Sequence, residues 1–178
     1  MSNQIFDPFT DRLSRDLRND LSTGLAQALD NGESGELVNI VDSYRQRALA
    51  DCYGNYLEDR YTRYKKALSI IKDGGITDPI KRSLILWDLG LFFEVHEVLE
   101  NAWYSATGSM KLTLQALIRA AGVYIKREYG YMDSARRIGE KAVPVLQENR
   151  ALLAAYFDPD ILITALRDQK SQPPTLQH

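Results

Sequence analysis

Apolar residues recur at three- and four-residue steps along most of the chain, with polar residues in the gaps. Leu13, Leu17, Leu21, Leu25 and Leu29 stand four apart. Each such step turns an α-helix by about 40°, so the ladder keeps to one broad face. Asn31-Gly32-Glu33-Ser34-Gly35 supplies the turn chemistry that ends it. Leu37, Val41, Tyr44, Ala48 and Cys52 form a second helical series, with Gly54 as its expected kink or end. A third series, Leu57, Tyr61, Tyr64, Leu68 and Ile71, stops at Asp73-Gly74-Gly75.

The second half repeats the pattern with clearer punctuation. Thr77-Asp78-Pro79 places a capping oxygen before a proline, whose missing N–H costs nothing in a first turn. The helix it opens is expected to run to about Asp88, where Gly90 breaks it. Another follows from Leu91 to about Tyr104, then a loop at 106–109 with Ser109 as a candidate cap. The next extends to about Tyr129 and ends at Gly130. A helix through Gln147 contains Pro144, which should kink or divide it. Asp158-Pro159 opens a last short helix, Ile161 to Arg167. No period-two apolar runs argue for strands. The pattern predicts an all-α fold, an antiparallel helical bundle of about 7–8 helices with tetratricopeptide-like hairpins. The break at 73–78 divides the chain into an N-terminal helical extension (1–75) and a C-terminal bundle (76–170), followed by a disordered tail (171–178).

Composition removes several function classes. With 178 residues, 44% apolar and 26% charged, the chain buries a core without disulfides or structural metal. Twenty-two Lys and Arg against 24 Asp and Glu leave a formal charge of −2, so no bulk attraction to nucleic acid or an anionic membrane is expected. Cys52 is the single cysteine and His178 one of two histidines, which excludes a Cys-based zinc ribbon and a His-rich cage. A lone cysteine, no basic-then-apolar leader and no long apolar run together predict a cytoplasmic location. Tyr53, Tyr56, Tyr61 and Tyr64 alternate with Arg60, Arg63, Lys65 and Lys66. Glu58 and Asp59 interrupt them, so the stretch reads as a packing face rather than a nucleic-acid surface.

One stretch combines several chemically active side chains. Leu91 to Trp103 reads LFFEVHEVLENAW. On a helical wheel with His96 at the origin, Leu91, Phe92, Val95, Leu99, Ala102 and Trp103 fall between about −140° and −20°. Glu100 falls near about 40° and Phe93 near about 60°, which puts His96 and Glu100 inside an apolar arc. Glu97 lies at its edge and Glu94 on the outer face. A carboxylate removed from water needs a donor. His96 is one turn away, and an antiparallel hairpin folded at Ala106-Thr107 brings Gln115 and Arg119 to the same height. The expected site is a buried cluster of His96, Glu100, Gln115 and Arg119 capped by Trp103. His96-Glu97-Val98-Leu99-Glu100 is an H-E-x-x-E sequence, without the second imidazole of the zinc-protease motif. Zinc accepts carboxylate oxygen, but Glu94-Val95-His96 lacks the spacing of a di-iron site. No metal and no cofactor are assigned.

The run Phe93-Glu94-Val95-His96-Glu97-Val98-Leu99-Glu100-Asn101-Ala102-Trp103 resembles the signature of the domain of unknown function 309 family, Phe-Glu-x-His-Glu-x-x-Glu-x-x-Trp. Gln115-Ala116-Leu117-Ile118 and Gly130-Tyr131-Met132-Asp133-Ser134-Ala135 are similar to its later parts, so the likeness spans about Lys81 to Leu146. Ala116, Arg119 and Ser134 depart from its usual residues. The resemblance implies a small all-helical bundle and no particular activity. It carries over Phe93, Glu94, His96, Glu97, Glu100, Trp103 and Gln115 as motif positions.

Two functional readings follow. The first is a binding module whose ligand site, for a protein or a small molecule, comprises Phe93, Glu94, His96, Glu97, Glu100, Trp103, Gln115 and Arg119. The alternative is a hydrolase-like enzyme, with or without metal assistance, with His96 as general base, Glu100 holding it, Glu97 as acid or metal ligand and Arg119 as anion clamp. The Leu13–Leu29 ladder, if left uncovered, predicts a homodimer.

Overall fold

The computed structural model describes residues 4–169 and 172–177. Among these the chain is helical, with no strand, as the spacing predicts. It packs as two compact units, 1–75 and 76–178.

The first unit holds α1 (Arg12–Asn31), α2 (Gly35–Arg45) and α3 (Asp51–Asp73). Leu17, Leu21, Leu25 and Leu29 of the ladder are buried within it, on a helix that packs against α2 and α3. That face is consumed inside the unit, which removes the reason given for a dimer. Gly24 sets the α1–α2 approach: a Cβ there would lie 3.2 Å from Leu37 Cα. The second apolar series is cut earlier than expected. α2 ends at Arg45, and Cys52 and Gly54 lie in the first turn of α3 rather than at the end of α2. Tyr53 and Tyr64 are buried on α3, as a packing face requires, and Arg60 is buried with them, its guanidinium 5.0 Å from the Tyr56 ring centroid.

Asp11 joins the start of α1 to α3. Its Oδ2 accepts from Ser14 N at 2.7 Å, Ser14 Oγ at 2.6 Å and the Tyr53 hydroxyl at 3.0 Å. The Ser14 hydroxyl is the main cause holding the Asp11 carboxyl below the usual carboxylate range. A carboxyl lowered in the folded state stabilises above its unfolded value of about 4, and that stability is lost as pH falls through the lowered folded value. Asp11→Ala is expected to cost about 1–2 kcal/mol, measured as faster amide exchange across α1 at neutral pH. The variant should also show a smaller acid-side loss than the parent.

The second unit runs α4 (Pro79–Asp88), α5 (Phe92–Ser105), α6 (Gly108–Glu128), α7 (Met132–Glu148), α8 (Arg150–Leu153) and α9 (Pro159–Arg167). Asp78 caps α4 by accepting from Ile80 N and Lys81 N, with Pro79 in the first turn. Gly90 and Gly130 perform one task twice. Each has a positive φ, and the next residue's N–H reaches five residues back, Leu91 to Leu86 O and Tyr131 to Lys126 O. This end motif closes one helix and starts the next with three residues between them. α5 packs on α4 and α6, and α7 on α6 and α9. Pro144 sits inside α7, which continues to Glu148 rather than dividing there. Thr107, not Ser109, is the residue before α6, and its side chain makes no capping bond.

The disordered tail expected at 171–178 is overturned for residues 172–177. Leu176 is 2% exposed, and Trp87 Nε1 donates to Pro174 O at 2.8 Å. The Asp88 carboxylate accepts from Leu176 N at 2.8 Å and Gln177 N at 3.0 Å. Residues 171 and 178 lie outside the described residues. Composition marked the stretch as frayed, but one leucine and three hydrogen bonds hold it.

Candidate functional site

α5 begins in an aromatic cluster. Trp87 meets Phe92 and Tyr124 edge-on at 5.1 and 5.2 Å, and Phe92 lies 5.1 Å from Tyr124. Burial pushes the Tyr124 phenol up, with Arg127, 5.2 Å from its ring, acting in the opposite sense. This anchor fixes the rotation of α5 and hence which side of it each motif residue occupies.

Glu94 is the largest correction to the wheel. Expected on the outer face, it is 1% exposed, while His96, Glu97 and Glu100 are half-buried rather than buried. A wheel carries angle and no height. The first turn of α5 is enclosed, whereas Asn101, Tyr104 and Ser105 at the other end are exposed. Glu94 also stands in the first turn, where the helix dipole favours a carboxylate.

His96, Glu97 and Glu100 come together on one flank. One ligand atom from each lies within 4.8 Å of the other two. The contact made by His96 is Nδ1 to Glu97 Oε1 at 3.2 Å, not the expected bond to Glu100. The Phe93 ring lies parallel to the imidazole, centroids 6.4 Å apart. Trp103 is half-buried, and its indole N–H is buried with no hydrogen-bond acceptor among the described residues. Lys111 of α6 lies over the Trp103 ring, 4.1 Å from its centroid. Gln115 and Arg119 are half-buried on α6, and no hydrogen bond or ion pair joins them to the cluster. The four-membered cluster is therefore corrected to a three-membered one with an aromatic neighbour.

The helix–glycine–helix order, the motif and the antiparallel α5–α6 pair stand together over one continuous stretch. Residues 80–138 match the family described as Domain of unknown function (DUF309). The DUF309 match opens in the first turn of α4 and closes inside α7, covering about a third of the chain's 178 residues and none of the first unit. It ends short of the limit near Leu146 that the resemblance suggested. All three residues of the flank cluster lie within the DUF309 segment, as do Glu94, Trp103, Gln115 and Arg119. No curated protein and no solved structure matches the chain.

Sequence reasoning missed Trp87 and Asp88. The signal was a second tryptophan next to an acid at a helix end, but their partners lie nearly ninety residues away. Among the described residues, no helix is long and apolar enough to cross a membrane.

Proposed function

We propose that residues 76–178 form a binding module whose site is the flank of α5 carrying His96, Glu97 and Glu100, and that it takes a divalent metal cation of the zinc or manganese type. The observation that carries this reading is the mutual approach of one imidazole nitrogen and two carboxylate oxygens to within 4.8 Å. Bonds of about 2.0–2.2 Å to nitrogen and oxygen place neighbouring donors roughly 3–4 Å apart, so side-chain rotations that bring the donor atoms about 1–2 Å closer together close the set. Charge favours the same occupant. Two carboxylates share the flank, and among the described residues no lysine or arginine forms an ion pair with Glu97 or Glu100; the neighbour of Glu97 is His96, itself one of the three donors. Three donors on one half-exposed helical turn leave coordination positions for water or for an oxygen of a partner. The sequence assigned no metal because a second internal histidine is missing; the convergence of the three side chains is what favours one.

The hydrolase-like alternative needed Arg119 as an anion clamp beside His96. No hydrogen bond or ring contact between them supports that role among the described residues, so the binding reading is preferred. The chain is expected to bind zinc(II) or manganese(II) with one site per chain in calorimetry. His96→Ala and Glu100→Gln should each weaken binding at least about tenfold. Absence of binding by the parent chain for both ions, or undiminished binding by His96→Ala, would remove the proposal.

A further inference from the structure

We propose that Trp87 and Asp88, at the end of α4, form a recognition site for an extended Pro-Pro-x-Leu segment of another protein, and that residues 172–177 are the chain's own copy of that ligand. The manner of attachment carries this. Pro174 presents its carbonyl to Trp87 Nε1, and Leu176 and Gln177 present successive amides to the two oxygens of Asp88. All three bonds use the main chain of the segment and side chains of the receptor. Of the side chains in the segment, only Leu176 is buried; Gln172, Pro173, Thr175 and Gln177 are exposed.

None of these contacts depends on the segment being joined to the rest of the chain. Three main-chain hydrogen bonds and one apolar anchor are features that any extended Pro-Pro-x-Leu stretch offers. The two prolines hold the backbone near the polyproline conformation, which lowers the entropy lost on docking. A groove of about 540 Å³ stays open between Gln172 and Pro174 on one side and Ile161, Thr164 and Ala165 of α9 on the other. The segment is thus fastened at its leucine end and borders that groove along α9. Because it is tethered, it competes at an effective concentration of about millimolar, and an outside segment enters when the tether is released.

The test uses the full chain carrying Leu176→Lys and the synthetic peptide Ac-QPPTLQ-NH2, followed through the indole N–H resonance of Trp87. Loss of the anchor should move that resonance, and titrated peptide should return it to its position in the parent chain. A peptide with lysine in place of leucine should have no effect. Adding Asp88→Ala to Leu176→Lys should weaken the peptide at least about tenfold. The parent chain should require at least about ten times more peptide than Leu176→Lys. If Leu176→Lys disturbs the wider spectrum, Leu176→Ala serves in the same titration. A resonance that does not move when the anchor is lost, or that millimolar peptide fails to restore, overturns the proposal.

Discussion

Trp87→Ala is expected to destabilise the second unit by about 3–5 kcal/mol. The indole is 3% exposed and stands between Phe92 and Tyr124, with both rings meeting it edge-on. Truncation removes its apolar area from the core and leaves a cavity that two rigid rings cannot fill by rotating. The aromatic pairs add about 0.5–1.5 kcal/mol each beyond area. The donor to Pro174 O is lost as well. Trp87→Phe separates these contributions: it keeps most of the ring contact, lacks the N–H, and should cost about 1–2 kcal/mol. Both tryptophans lie in the second unit, so urea unfolding followed by Trp103 fluorescence reports it directly. A loss below about 1 kcal/mol for Trp87→Ala would mean that the ring does not anchor α5.

Glu94→Ala is expected to cost about 2–3 kcal/mol, although an acid in an exposed helical position would cost a few tenths. Burial makes the difference. At 1% exposure the side chain has left water, and truncation to alanine empties an enclosed space at the start of α5. Leu91 precedes α5 and cannot cap it with its side chain, so the first turn depends on nearby negative charge. Glu94→Gln keeps the shape and removes the charge, and should fall between the parent and Glu94→Ala. The same urea series measures all three proteins. A cost for Glu94→Ala within about 0.5 kcal/mol would return Glu94 to the surface role that the helical wheel assigned it.

The contrast between Glu94 and His96 marks how far the candidate site was legible. Their angles around α5 follow from residue number, and the wheel placed His96, Glu97 and Glu100 on neighbouring directions correctly enough to nominate them. It misjudged burial because enclosure varies along the axis: neighbouring elements cover the first turn of α5 and leave the last turn open. The expected partners on α6 failed for a related reason. Hairpin arithmetic sets the height of Gln115 and Arg119 but not the direction of long side chains. Lys111 of α6 reaches the motif, over the face of Trp103.

Helix identity, the stops at Gly90 and Gly130, the cap at Asp78 and the H-E-x-x-E run were settled by local chemistry, because each depends on residues within a turn or two. The Leu13–Leu29 ladder likewise announced a buried face without saying what buries it. Only the packed chain decided that this ladder is covered by its own unit, that Glu94 is enclosed, and that a Pro-Pro-x-Leu tail is held by Trp87 and Asp88. Those outcomes depend on groups distant in sequence, where fit and desolvation, rather than local backbone preference, set the free energy.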